Sequence, residues 1–291
     1  MIVVTGASGR LGRLVIEDLL IRGVPARHIV AVVRTPEKVA ALRSRGVGVR
    51  RADYDDLRSL VAAFAGADKV LLVSSNEPGR RLVHHRNAVD AASAVGVGLL
   101  AYTSILNADT SRVMLAADHT ATEAAIREAG LPYAFLRNGW YVENYTANLA
   151  TWLRAGTIPG CAGEGRVAAA ARADYAAAAA TVLATEGHHN AVYELGGDEP
   201  FTMAEFAAEV THQSGTAVVY VDMPPEEYVR TLVAQGLSEP EAAALADADA
   251  GVARGDLTTD SDDLRRLIER PTTSLDEAVA LALALLPRST A

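Results

Sequence analysis

Cysteine is almost missing from this sequence: Cys161 is the single one in 291 residues. That excludes a disulfide framework and a thiolate metal cluster. Lysine is nearly as scarce, with only Lys38 and Lys69, so almost all positive charge is arginine. Together with the abundance of alanine, this is the mark of GC-rich bacterial coding and not of a mechanism. Basic residues fall short as a whole, since 27 Lys and Arg face 36 Asp and Glu for a net charge of −9. No basic excess is there to displace counterions from a phosphate backbone, which argues against a nucleic-acid partner. Long apolar runs are absent too. None approaches the ~18 residues of a membrane-spanning helix, so no membrane partner is expected. The alanine-rich stretch 167–184 is interrupted by Arg172, Asp174 and Tyr175 and reads as a helix. The opening MIVVTGASG enters a strand at once, with no basic segment and apolar region of a secretory leader, and a cytoplasmic protein is expected.

What is present is ordinary for a globular enzyme: half the residues are hydrophobic and 22% are charged. The length allows one large domain or two small ones. Up to residue 137, short apolar runs alternate with amphipathic segments. The runs Ile2–Val4, Ile29–Val33, Val47–Arg50, Val70–Val73, Leu99–Tyr102 and Tyr133–Leu136 predict strands. Helical patterns lie between them near Arg10–Arg22, Pro36–Arg45, Asp56–Phe64, Arg80–Val95 and Leu115–Ala129. Gly23, Gly46, Gly66, Gly96 and Gly130 fall where each helix must stop. Strands alternating with helices require a parallel, doubly wound α/β sheet with right-handed crossovers. Beyond residue 137 the regularity breaks. Residues 138–291 predict a smaller, mostly helical region on the substrate side, interleaved with the first domain (1–137). Strands are expected at Val192–Leu195 and Val218–Val221, a mobile loop at Gly156–Gly165, and a frayed end from Pro287 to Ala291.

The first strand runs into Gly6-x-x-Gly9-x-x-Gly12 and then an apolar-periodic helix. Strand, glycine turn and helix is the context in which such a motif signals dinucleotide binding. Gly6 serves the tight turn, Gly9 lets backbone approach a pyrophosphate, and Gly12 lets helix and strand pack closely. The helix N-terminus then offers free N–H groups to the phosphates. After the second strand, Arg34 stands where an acidic residue would bind the 2′-hydroxyl of NAD, and Lys38 follows one helical turn later. Two cations there favour a 2′-phosphate, hence NADPH, with NADH possible. Asp53-Tyr54 follows the third strand. Asp53 could accept from the adenine amino group and Tyr54 could cover its ring, while Asp55 or Asp56 caps the next helix. Ser74, Ser75 and Thr103 end the fourth and fifth strands, at the sheet edge where ligands sit.

The Tyr-x-x-x-Lys pair of ordinary short-chain dehydrogenases is missing from the helix after the fifth strand, which reads VMLAADHTATE. His119 and Glu123 lie four apart there and predict a surface pair or, alternatively, groups that orient the nicotinamide or a proton source. The doublets His84-His85 and His188-His189 do not converge on one helix face, so no metal site emerges. Asn138, Trp140, Tyr141 and Tyr145 put three aromatics beyond the sixth strand, in a chain with only 5% aromatic residues.

The stretches VTGASGRLGR, VVRTPEK, ADYDD, HRNAVDAA, AYTSIL, ADHTATE, LPYAFLRNGWYVENYT, VYELGGDEPFTMAE and GLSEPEAAALADADAGVARGDL resemble the NmrA-like atypical short-chain dehydrogenase/reductases. Within them the match is to the quinone-reductase and triphenylmethane-reductase branch, and it runs through almost the whole chain. The resemblance implies a Rossmann-like fold and a cofactor seat built from Gly6, Ser8, Arg10, Leu11, Arg34, Lys38, Asp53, Ser74 and Ser75. It also implies a pocket near Thr103, Asn138, Trp140, Tyr141 and Tyr145. Reduction of a simple ketone gives an alkoxide that needs a placed proton donor, whereas a quinone gives a delocalised, weakly basic phenolate. The absent Tyr-Lys pair therefore fits a flat, conjugated acceptor stacked in an aromatic slot, with Asn138 or Tyr141 hydrogen-bonding its oxygen. The expectation is a flavin-independent, metal-independent NADPH reductase of quinone-like acceptors, acting as a monomer or homodimer. Its rivals are a dinucleotide-binding redox sensor without turnover and a reductase of a specialised metabolite.

Overall fold

The computed structural model describes residues 1–77 and 79–286, so the end predicted to fray, Pro287–Ala291, lies outside the described residues. The first six strands are β1 (Ile2–Val4), β2 (Ile29–Val33), β3 (Gly48–Arg51), β4 (Lys69–Leu72), β5 (Leu99–Ile105) and β6 (Tyr133–Asn138). Helices α1 (Arg10–Ile21), α2 (Ala40–Ser44), α3 (Leu57–Phe64), α4 (Arg81–Val95) and α5 (Met114–Glu128) connect them. There follow α6 (Glu143–Thr146), α7 (Leu149–Ala155), β7 (Thr157–Gly160), β8 (Arg166–Val167), α8 (Arg172–Ala184), β9 (Ala191–Leu195) and β10 (Phe201–Thr202). The chain closes with α9 (Met203–Ser214), β11 (Val219–Asp222), α10 (Pro225–Ala234), α11 (Glu239–Ala253), α12 (Asp263–Ile268) and α13 (Leu275–Ala284).

Seven strands form one parallel sheet in the order β3-β2-β1-β4-β5-β6-β9, with Val3 opposite both Val30 and Val70. β2 and β5 are buried along their whole lengths, as a sheet covered on both faces demands. One face packs against α1, α8 and α12, the other against α3, α4 and α5. The predicted doubly wound α/β fold is therefore present. The last strand of the sheet comes from residues 191–195, and α8 lies along α1. Ala176–Ala180 of α8 are all buried, and their small side chains let the two backbones approach. A third core, centred on Tyr145, Trp152, Phe201 and Phe206, unites α6, α7 and α9.

Three local expectations differ from the structure. Residues 36–45 start as a 3-10 turn, Pro36–Val39, before the short α2. The glycine-rich 156–165 stretch is not an open loop, since β7 within it pairs in parallel with β11. Two of its glycines serve close packing: a Cβ on Gly165 would meet the Val252 carbonyl oxygen at 2.4 Å, and one on Gly160 the Asp249 carboxylate at 2.8 Å. His119 and Glu123 do share a helix face, but it is the face toward the sheet. Both are buried, and they do not pair with each other.

Glu123 instead meets Arg137 on β6. The guanidinium donates to both Glu123 oxygens, at 2.9 and 2.7 Å, to Asp109 at 2.7 Å and to Glu194 at 2.8 Å. Ser104 on β5 donates to the same Glu123 at 2.6 Å. One buried cation thus joins β5, β6, β9 and α5, and it holds the Asp109 carboxyl below its usual pKa. Removing one partner of a buried pair leaves the other charge uncompensated, at about 3–5 kcal/mol. Arg137→Met is expected to lower unfolding free energy by about that amount in urea. A loss under about 1 kcal/mol would show the cluster to be solvated rather than structural.

Candidate active site

The strand order reverses between β1 and β4, and in such sheets ligands bind in the crevice beyond the strand ends at that point. The loops after β1, β2, β3 and β4 there enclose a groove of about 620 Å³, the size of a dinucleotide or drug-sized ligand site. Gly6, Ser8, Gly9, Arg10, Leu11, Gly12, Arg34, Lys38, Asp53, Tyr54, Ser74 and Ser75 all line it. Thr103 does not: it is buried, and its hydroxyl accepts from the Ser74 N–H at 2.8 Å, holding the groove wall from behind.

The glycine turn has the shape a pyrophosphate requires. Gly6 takes a positive φ of 58°, and a Cβ on Gly12 would stand 2.6 Å from the Gly6 carbonyl oxygen. Gly9 begins α1 with no side chain capping it, which leaves first-turn amides for an anion. Beyond β2, Arg34 is largely exposed and donates to Glu77 at 2.7 Å. Asp53 accepts from the Asp55 N–H at 3.2 Å, and Asp56 caps α3. The Tyr54 ring stacks on His84 at 5.8 Å while its hydroxyl lies 2.7 Å from the Val73 carbonyl. Burial raises the pKa of that hydroxyl, which stays protonated.

The groove also contains Glu77, Arg81, His84 and Arg172, none of them expected there from residue order. Arg81, His84 and His85 come from the first turns of α4 and clamp Ser75. Arg81 Nε donates to its carbonyl at 2.7 Å, His84 Nδ1 lies 2.8 Å from its hydroxyl, and its N–H donates to His85 Nε2 at 2.9 Å. Two adjacent histidines thus converge after all, because Ser75 sits at the helix entrance, within reach of both. His85 Nε2 accepts, so the neutral ring carries its proton on Nδ1, 2.9 Å from Thr122 Oγ1. Next to it, Tyr102 Oη lies 2.7 Å from His119 Nδ1. Burial pushes both His85 and His119 down to about 3, helped by the nearby Arg81 charge.

At the other end of the groove stands Tyr141, with the Arg172 guanidinium 4.6 Å over its ring and Tyr175 edge-on at 5.3 Å. Burial raises its hydroxyl pKa. Asn138 Nδ2 lies 3.5 Å from that hydroxyl, and Asn138 Oδ1 is buried without a hydrogen-bond partner among the described residues. An orphaned acceptor of this kind needs a donor from a ligand or water. The three aromatics do not form one slot. Trp140 and Tyr145 line a separate cavity, while Tyr141 alone faces the groove. Among the described residues, no cluster of three His, Cys, Asp or Glu could hold a metal ion. No helix there is long and apolar enough to cross a membrane.

A glycine cradle at the strand-order reversal, cations beyond β2 and an orphaned amide at the far end define a dinucleotide-dependent enzyme of the short-chain reductase type. The chain belongs to the NAD(P)H-binding family, whose model matches residues 6–186. It is 48% identical to quinone oxidoreductase 2 of Escherichia coli over 280 residues, covering 96% of this chain and 98% of that protein. Among solved structures, it resembles the E. coli NADPH-dependent quinone oxidoreductase complexed with NADPH, at a TM-score of 0.95 and 47% identity over 97% of this chain and 100% of that one. The Citrobacter sp. triphenylmethane reductase complexed with NADP(H) matches at a TM-score of 0.93 and 41% identity, with the same coverage.

Two outcomes follow from the clamp on Ser75. His85→Ala strands a buried N–H, which costs about 1–3 kcal/mol; calorimetric titration should show dinucleotide binding weakened about tenfold, with partial recovery in His85→Gln, whose amide oxygen can accept. Unchanged affinity in both would separate the clamp from the ligand. As pH drops from 6.5 towards 3, the unfolded chain takes up protons that the folded His85 and His119 refuse. Stability should therefore fall through that window and be independent of these two groups above it, and His119→Phe should flatten the slope.

Proposed function

We propose that the protein is a flavin-independent, NADPH-dependent reductase that transfers hydride to a quinone or a similar conjugated acceptor. The observation that carries this reading is the groove itself. It runs from a phosphate cradle to Tyr141, with buried Asn138 beside the Tyr141 hydroxyl, while the α5 residues that could have served as proton donors are committed elsewhere. His119 is held neutral against Tyr102, and Glu123 is spent on Arg137. A site built this way suits an acceptor whose reduced form is a stabilised, weakly basic anion. When bound, NADPH supplies the hydride. The relatives favour the same reading, since the E. coli protein is an NADPH-dependent quinone oxidoreductase.

In this reading the amides at the start of α1 hold the pyrophosphate, and Arg34 with Lys38 holds the 2′-phosphate once Glu77 gives way. Ser74, held by Thr103, and Ser75, held by α4, form the floor on which the dinucleotide lies. Asn138 and Tyr141 supply hydrogen bonds at the reacting end, and Arg172 keeps the Tyr141 ring in place. The buried single thiol suits a reducing compartment, and we take the enzyme to be cytoplasmic, acting on a small-molecule acceptor as a monomer or homodimer.

Steady-state oxidation of NADPH with a panel of benzoquinones and naphthoquinones tests the reading. Turnover without added flavin is the expected result; dinucleotide binding with no turnover on any acceptor would favour the sensor. Tyr141→Phe should raise the quinone KM or lower kcat while leaving NADPH affinity near wild type. Arg34→Ala should weaken NADPH by about tenfold to a hundredfold, the weight of hydrogen bonds to a charged group, and leave NADH unchanged. Glu77→Gln removes the competing carboxylate, and NADPH should bind about two- to fivefold more tightly, as expected for an exposed ion pair. Equal effects on both dinucleotides would remove the 2′-phosphate from the assignment.

A further inference from the structure

Trp140 and Tyr141 are neighbours that face different cavities. Behind Trp140, between α7, β7, α10 and α11, lies a cavity of about 90 Å³. A single water needs only about 10–15 Å³ on this measure, so there is room for a group of roughly five heavy atoms. Trp140, Tyr145, Trp152 and Tyr228 are its aromatic lining, and among the described residues no lysine, arginine or histidine contributes to it. One charged side chain does. Asp249 on α11 lines the cavity although it is only 9% exposed.

Its carboxylate has no ion-pair partner among the described residues and receives one hydrogen bond there, from the Cys161 N–H at 3.0 Å. Gly160 lets the backbone pack directly against it, since a Cβ at that position would come within 2.8 Å of Asp249 Oδ2. An unpaired buried carboxylate is costly and calls for a cation or a proton. Aromatic faces around an anion attract a weakly hydrated organic cation in particular, because the ring quadrupoles add to the charge attraction.

We propose that this cavity is a binding site for a small organic ammonium group, quaternary or tertiary, with Asp249 as its counter-ion and Trp140, Trp152 and Tyr228 as its aromatic walls. A hydrated metal ion is disfavoured, because one carboxylate and aromatic faces cannot replace its oxygen shell. The site stands independently of which acceptor is reduced in the groove. Burial raises the Asp249 carboxyl to about 6, against the lowering effect of the Cys161 N–H, with Asp222 raising it further. The other groups facing it are Tyr145 from α6, Cys161, Tyr220 and Asp222 from the β7–β11 side, and Tyr228 from α10. The thiol and the three phenols are held protonated by burial. Cation binding therefore gains from the carboxylate above about pH 6 and loses it below.

The chain has two tryptophans, and both line this cavity. Their indole N–H resonances in a ¹⁵N-labelled sample thus report its occupancy without any turnover. Tetramethylammonium should shift both resonances and bind at least tenfold more tightly at pH 7.5 than tert-butanol, a neutral probe with the same number of heavy atoms. Asp249→Asn keeps an acceptor for the Cys161 N–H and should bring the two probes to within about twofold, with dinucleotide affinity unchanged as the check on folding. In the wild type, the preference should collapse between pH 7.5 and 5. Equal binding of the two probes by the wild type, or a preference that survives either Asp249→Asn or pH 5, would overturn the proposal. If the variant does not fold, the pH series on the wild type decides.

Discussion

A guanidinium buried among carboxylates cannot be left half-paired, and Arg137 makes that constraint the keystone of this molecule. Its partners come from three separate stretches of chain: Asp109 after β5, Glu123 on α5 and Glu194 on β9. Glu194 also accepts from the Asn107 N–H, and Asn107 in turn donates to the carbonyls of Asp256 and Thr258 after α11. The late part of the chain is therefore drawn back to the sheet by the same charge that fixes α5 over it. The next residue after Arg137 is Asn138, so the reacting end of the groove inherits its position from this cluster.

The opposite wall is built on another principle. Ser75 is held by donors and acceptors that all sit on the opening turns of α4, and His85 behind it is kept uncharged by burial. The arrangement costs α5 its catalytic candidates. His119 and Glu123, the titratable residues nearest the place of the usual Tyr-Lys pair, are absorbed into these two supports. This is why an acceptor that needs little proton donation fits the site.

Much of this was legible from residue order. Alternating apolar runs, closed by glycines such as Gly96 at φ +68°, give the parallel sheet, and Gly6 to Gly12 mark the phosphate end. Arg34, Asp53 and Ser74 could be found because they closely follow strands, where the fold presents side chains to the crevice, and Lys38 because it lies one helical turn beyond Arg34. Arg81, His84 and Arg172 could not. They reach the groove from helix starts whose approach is set by packing, and no local pattern records that. Glu77 was hidden in the same way: as Arg34's partner it depends on how the β2 and β4 loops meet. Glycine also misled. In 156–165 it signals backbone proximity to α11 and β11 instead of freedom to move, and composition does not separate the two. Asp249 lies in a run of Ala and Asp that reads as a solvated helix face, and only the third dimension turns it inward.

The run of buried alanines in α8 ties packing to ligand binding in a way that conventional mutational mapping would misattribute. α1 rests on that run, and its first turn is the proposed phosphate cradle. An added methylene at Ala176–Ala180 would tilt α1 as a lever, with the displacement appearing at its far tip. A substitution made in the interior, with no contact to any ligand, would then score in an affinity screen as a cofactor-site residue. The helix of alanines is in effect the shim that sets the height of the cofactor's seat.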